Sequence, residues 1–151
     1  MKVVNKLVLT FMTKTQGMDP AEETNKFDFA IGAVCEFVHH HYQVWNDEPL
    51  NDIATALSEA LWNCDKHAYS EDGGEVRISV FLTDIGRLCI YVKDSGCGIS
   101  DIKEAMEPMF TTGNDDEHSG LGFSVMQCYM DNVSVTSSKK GTTVKMIKTF
   151  F

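Results

Sequence analysis

The stretch Leu57-Ser-Glu-Ala-Leu-Trp-Asn-Cys-Asp-Lys-His-Ala-Tyr69 constrains the fold of this chain more than any other. It holds no Gly or Pro. Ile53, Leu57, Ala60, Leu61, Cys64 and Ala68 recur at three- and four-residue steps, which predicts a helix with one buried stripe, ending near Tyr69. Glu59, Asn63 and His67 follow one another at four-residue intervals and stack on a single line of that helix. At about 100° per residue this line borders the apolar stripe instead of opposing it. A carboxylate and a carboxamide at the edge of a core suit a half-buried pocket, where the amide oxygen can ligate a hard cation and the carboxylate can take a proton or hold a water. The same pattern also suits an ordinary amphipathic helix with polar flanks.

Charge narrows the partners. The 151 residues carry 13 Lys and Arg against 22 Asp and Glu, a formal net charge of −9. Nonspecific attraction to nucleic acid or to an anionic membrane is therefore not expected. An acidic protein that binds an anionic nucleotide needs a local remedy, such as backbone amides or a metal ion. No secretory signal and no apolar run long enough to span a bilayer are expected, which points to a cytoplasmic protein. Cys35, Cys64, Cys89, Cys97 and Cys128 are odd in number and widely spaced, and read as reduced, buried thiols. The length and the 43% hydrophobic content fit a single domain, residues 1–151.

Around the central helix the other elements follow from pattern. Lys6 to Phe11 reads as a first strand at a sheet edge. Asp19-Pro20-Ala-Glu-Glu starts a helix running to about His41, with Phe27, Ile31, Val34, Phe37 and Val38 inward. His39-His40-His41 does not read as a metal site, because consecutive helical residues point about 100° apart. Glu75 to Leu82 and Arg87 to Asp94 alternate and form a hairpin through Thr83–Gly86. Asp101 to Met106 is a short helix before Pro108. Asn132 to Ser137 and Thr142 to Phe150 are two further strands, joined at Lys139-Lys140-Gly141.

Three stretches carry chemistry. Asp94-Ser-Gly-Cys-Gly98 closes a strand with two glycines, which permits a tight turn and close backbone approach to a ligand. Asp94 would accept a hydrogen bond there from an exocyclic amine such as that of adenine. Such a Gly-x-Gly is also simply a common turn. Phe110 to Gly120 is polar and acidic, without an apolar period, and reads as a lid or as a surface excursion. Gly120-Leu-Gly122 then opens a helix with Leu121, Val125, Cys128 and Tyr129 as its apolar residues. A glycine-opened helix N-terminus is a ready anion site.

In this order the pieces resemble the ATP-binding boxes of the gyrase/Hsp90/histidine-kinase/MutL superfamily. Ser58-Glu-Ala, Met109-Phe-Thr-Thr112, Ser119-Gly-Leu-Gly-Phe123, Met130-Asp-Asn-Val-Ser134 and Gly141-Thr-Thr143 are similar to the anti-sigma-F branch, across residues 50–148. The resemblance implies an α+β two-layer sandwich, with helices on one face of a mixed, largely antiparallel sheet. It implies ATP or ADP as ligand, Mg²⁺ held by Asn63, and Glu59 as the general base. Asp94 would read adenine, helped by Thr143 through a water, while Gly96 and Gly98 let the backbone close on the base. His67, Thr111, Thr112, Gly120, Leu121 and Gly122 would complete the nucleotide site. The implied activity is protein-serine phosphorylation of an anti-anti-sigma protein by a homodimer that also sequesters a sigma factor of sporulation.

Gly113 and His118 stand where the family lid carries basic residues, and Ile31 lies near the position of a family Arg. A second reading is therefore a regulatory module that holds ATP or ADP and a protein partner with little phosphotransfer. A third, the catalytic fragment of a histidine-phosphorylating sensor kinase, meets no phosphoacceptor hairpin in this chain.

Overall fold

The computed structural model describes residues 1–13, 19–44, 46–69, 73–99, 101–106 and 122–151, without the side chains of residues 20, 23, 66, 67, 103 and 104. Five strands form one sheet: β1 (Val3–Met12), β2 (Glu75–Thr83), β3 (Arg87–Asp94), β4 (Asn132–Ser138) and β5 (Gly141–Thr149), in the order β1-β2-β3-β5-β4. The expectation of a largely antiparallel sheet is met in full, since all four pairings are antiparallel. β1 lies at an edge, as its position before the first helix predicts.

Strand alternation decides the two faces. Val76, Ile78, Val80 and Leu82 of β2, Leu88, Ile90 and Val92 of β3, and Val144 and Met146 of β5 are buried under the helices. Phe81, Cys89, Tyr91, Lys145 and Ile147 occupy the intervening positions on the uncovered face. There Phe81 and Tyr91 meet edge-on at 5.7 Å, and Lys145 stands over the Tyr91 ring.

Two long helices cover the sheet. α1 (Pro20–Tyr42) starts where Asp19 accepts from Glu22 N at 2.9 Å, and Pro20 needs no donor in the first turn. It ends at Gln43 in the left-handed region, with φ 53°. Val34 and Val38 are fully buried, as is Ala30, while Phe27, Ile31 and Phe37 pack at the margin. α2 (Asp47–Asn63) is capped by Asn46, which accepts from Glu48 N at 3.0 Å. Its stripe Ile53, Ala56, Leu57, Ala60 and Leu61 is buried. Each fully buried Leu or Ile in that seam contributes about 2 kcal/mol relative to exposure.

The helical stretch reaches Ala68 as anticipated, but only Asp47–Asn63 is α-helical. Cys64–Ala68 is a π-helical turn, with five-residue instead of four-residue spacing. A short α3 (Ile102–Ala105) follows β3, and α4 (Gly122–Tyr129) packs on α2. The buried residues of α4 are Gly122, Phe123 and Met126, continued by Met130. That corrects the expected apolar set: Cys128 and Tyr129 are exposed, because the helix docks through the line one position later, Gly122, Met126 and Met130. The five thiols are free, as expected, but Cys97 and Cys128 are exposed and only Cys64 is buried. Among the described residues no helix is long and apolar enough to cross a membrane.

Candidate functional site

The site grows from the C-terminal end of α2. Glu59 and Asn63 are half-buried and lie one turn apart on one line of the helix. Past Asn63 the widened turn carries the backbone to Ala68, whose carbonyl accepts from Cys97 N at 3.0 Å. The turn that follows β3 is thereby pinned to the end of α2.

Asp94 ends β3 on the helix-covered face and is 5% exposed. A carboxylate buried this far requires donors. Its Oδ1 accepts from Gly96 N at 3.0 Å and from Thr142 N at 3.2 Å. Its Oδ2 accepts from the Cys64 thiol, with Sγ at 3.8 Å. Burial, then the charge of Asp94 beside it, push the Cys64 thiol well above its ordinary range, so it stays an S–H donor.

The turn beyond Asp94 is fitted closely to its surroundings. Gly98 has φ +80°, and a Cβ there would run into the carbonyl oxygen of Ser138. Gly96 approaches Ala68 so closely that a side chain would strike its carbonyl. Ile99 N donates to Ser137 Oγ at 2.7 Å, and Ser137 Oγ pairs with Thr142 Oγ1 at 2.7 Å. Tyr69 fastens the other flank: its hydroxyl accepts from Ser95 N at 2.6 Å and donates to the Glu75 carbonyl. Burial raises the Tyr69 phenol above its usual range.

At the other end Gly122 opens α4 against Asn63. A Cβ on Gly122 would sit 3.2 Å from both the oxygen and the nitrogen of the Asn63 carboxamide. Glycine therefore keeps the ground between this amide and the helix start clear. Gly122, Asn63, Cys64 and Asp94 form one continuous path across the molecule, each member touching or covalently joined to the next.

The structure thus brings together Asn63, Asp94, Gly96, Gly98 and Gly122, with Glu59 one turn away. Thr143 does not join them. It pairs with Lys93 and Thr136 on the uncovered face, whereas Thr142, 7% exposed, is the residue beside Asp94. In a strand an offset of one residue exchanges the faces. The run of buried positions Thr142, Val144 and Met146 already carries that phase. His67 contributes its backbone to the widened turn, and its side chain is outside the described set. Thr111, Thr112, Gly120, Leu121 and the expected lid also lie outside the described residues. Cys64, Tyr69, Ser137 and Thr142 are the members of this hydrogen-bonded cluster that sequence reasoning missed.

Chemically, the arrangement offers a buried acceptor for an N–H donor at one end. At the other it offers an amide oxygen beside a glycine-opened helix N-terminus. This donor set fits Mg²⁺ as phosphates carry it, since that ion takes one or two protein oxygens and fills its remaining positions with phosphate and water.

Comparison with known proteins gives the same outline. Residues 28–148 match the histidine kinase-like ATPase domain. The chain is 46% identical over 102 residues to the anti-sigma F factor of Caldanaerobacter subterraneus, covering 67% of this chain and 71% of that one. It is 38% identical over 148 residues to that of Clostridium botulinum, covering 97% and 95%. Against that of Bacillus subtilis it is 43% identical over 103 residues, covering 67% and 70%. Among solved structures, the catalytic domain of histidine kinase ThkA superposes with a TM-score of 0.55 at 15% identity, over 95% of both chains. The RsbU and RsbW domains of a Mycobacterium tuberculosis protein give a TM-score of 0.55 at 16% identity, over 95% of this chain and 32% of that one. The two structures share the fold; the identity to the first three places this chain in the anti-sigma F factor family of histidine kinase-like ATPase domains.

Proposed function

We propose that this protein is an ATP-dependent serine kinase that acts as an anti-sigma factor, phosphorylating an anti-anti-sigma protein and holding a sigma factor in the cytoplasm. The observation that carries this reading is the path from Gly122 through Asn63 and Cys64 to Asp94. It supports Asp94 as the base acceptor and Asn63 as the amide at the phosphate end. Asp94 takes the exocyclic amine of adenine, and Thr142 holds the carboxylate in place. The Asn63 amide oxygen binds Mg²⁺, which supplies charge neutralisation to the phosphates. Glu59 receives the proton of the attacking serine hydroxyl as its oxygen bonds to the γ-phosphorus, while the bond to the β,γ-bridging oxygen breaks and ADP leaves. The family likeness supports a homodimer, and the uncovered sheet face with Phe81, Tyr91 and Ile147 offers apolar area for a second copy.

The test joins nucleotide titration to transfer of label from ATP onto candidate anti-anti-sigma proteins. Asn63→Ala is expected to abolish Mg²⁺-dependent nucleotide affinity with the fold intact; unchanged ATP affinity refutes the metal role. Glu59→Ala is expected to keep ATP and lose turnover, by about a hundredfold or more for a lost general base. A fully active variant removes Glu59 from the mechanism.

Gly113 and His118, which stand where the family resemblance implies cations, favour a second reading: a regulatory module that binds ATP or ADP and a partner. Intact nucleotide binding with no label transferred to any candidate selects it.

A further inference from the structure

We infer that Cys64 is a positioning residue that sets base specificity, by holding Asp94 so that its carboxylate offers a single remaining acceptor position to the ligand. The inference rests on the nucleotide reading above and names the residue that tunes it. A carboxylate has about four acceptor positions. Gly96 N and Thr142 N occupy Oδ1, and the Cys64 thiol occupies one position on Oδ2. Among the described residues one position on Oδ2 is left. A carboxylate oxygen with its other positions taken by donors can only accept there, so it matches a purine with an amino group at that edge and opposes one with a carbonyl there.

The thiol suits this task. Cys64 is 4% exposed and follows Asn63 directly, at the first position of the widened turn, so its side chain faces Asp94 from under the core. Its bulk covers one side of Oδ2 from water, while its weak donation leaves the oxygen able to accept again. A residue at this place therefore acts on the ligand through Asp94 and touches no phosphate.

The experiment compares Mg²⁺-ATP with Mg²⁺-ITP, which carries a carbonyl in place of the amine, for the full chain and for Cys64→Ser and Cys64→Val. The parent chain is expected to prefer ATP. Cys64→Ser keeps a donor and is expected to keep that preference. Cys64→Val keeps the volume without the donor and is expected to lose about fivefold in ATP affinity with ITP unchanged. A Val variant with an undiminished preference, or a Ser variant as weak as the Val variant, overturns the inference. The S–H stretching band gives a readout without nucleotide. The component lost in Cys64→Ser should lie at lower frequency than a thiol without an acceptor and move up in Asp94→Asn. A component that stays in place overturns the inference even where ATP binds as proposed. A parent chain that binds neither nucleotide refutes the nucleotide reading, and the base-specificity inference with it; a band that still shifts would leave only the Cys64–Asp94 contact.

Discussion

The two ends of the site are built on different plans. At the Asp94 end, the widened turn after α2, the turn after β3 and β5 each send a donor to one carboxylate, across sequence separations of 30, 2 and 48 residues. Ser137, Tyr69 and the Ala68 carbonyl hold the surrounding turn. At the Asn63 end the described contact is an amide lying against a residue with no side chain. The first end is completed by the same bonds that close the sheet, so it stands preformed. The second is a space kept clear. On the proposed function, recognition would fall where the fold is most cross-linked, and chemistry where a ligand must be admitted.

This contrast can be broken experimentally. Gly98→Ala forces a side chain into a positive-φ turn and against Ser138, and is expected to cost about 2–4 kcal/mol of stability, with nucleotide affinity lost alongside. Denaturant unfolding and ATP titration of one preparation check it; affinity lost at full stability would show that the base end is not part of the framework. Gly122→Ala should do the reverse. It crowds the Asn63 amide, so ATP affinity falls about tenfold while the unfolding midpoint holds nearly constant. A sharper and smaller contrast lies within β5. Thr142→Val removes the partner of Ser137 Oγ and should cost about 1 kcal/mol, whereas Thr143→Val on the open face should stay within about 0.5 kcal/mol. Equal effects would undo the assignment of faces.

The elements were legible wherever one period governed a whole segment. The alternation of Glu75–Thr83 and Arg87–Asp94 marks the central hairpin, and the stripe of α2 marks the seam beneath it. Asn63 and Asp94 were legible because their helix line and strand end are local properties. Which threonine of the pair lies beside Asp94 was not legible, because a Thr-Thr pair carries both phases and only pairing chooses between them. The docking face of α4 was misjudged because a helix of 8 residues rich in apolar groups has no single unambiguous stripe. Cys64 and Tyr69 were passed over as core and helix end. Their partners lie 30 and 26 residues away, on strand and turn positions that no local pattern connects to them.

The widened turn at Cys64–Ala68 makes the distance between the two ends of the cleft a matter of chain length. Asn63 sits before it, and Ala68, whose carbonyl grips Cys97, ends it. Deleting one residue there would restore regular helical pitch and look harmless in a sequence, yet it would rotate the grip on the base relative to the amide at the far end. The count of residues in this segment therefore matters more than their identity, and a one-residue insertion or deletion here is expected to uncouple Asn63 from the turn that follows Asp94.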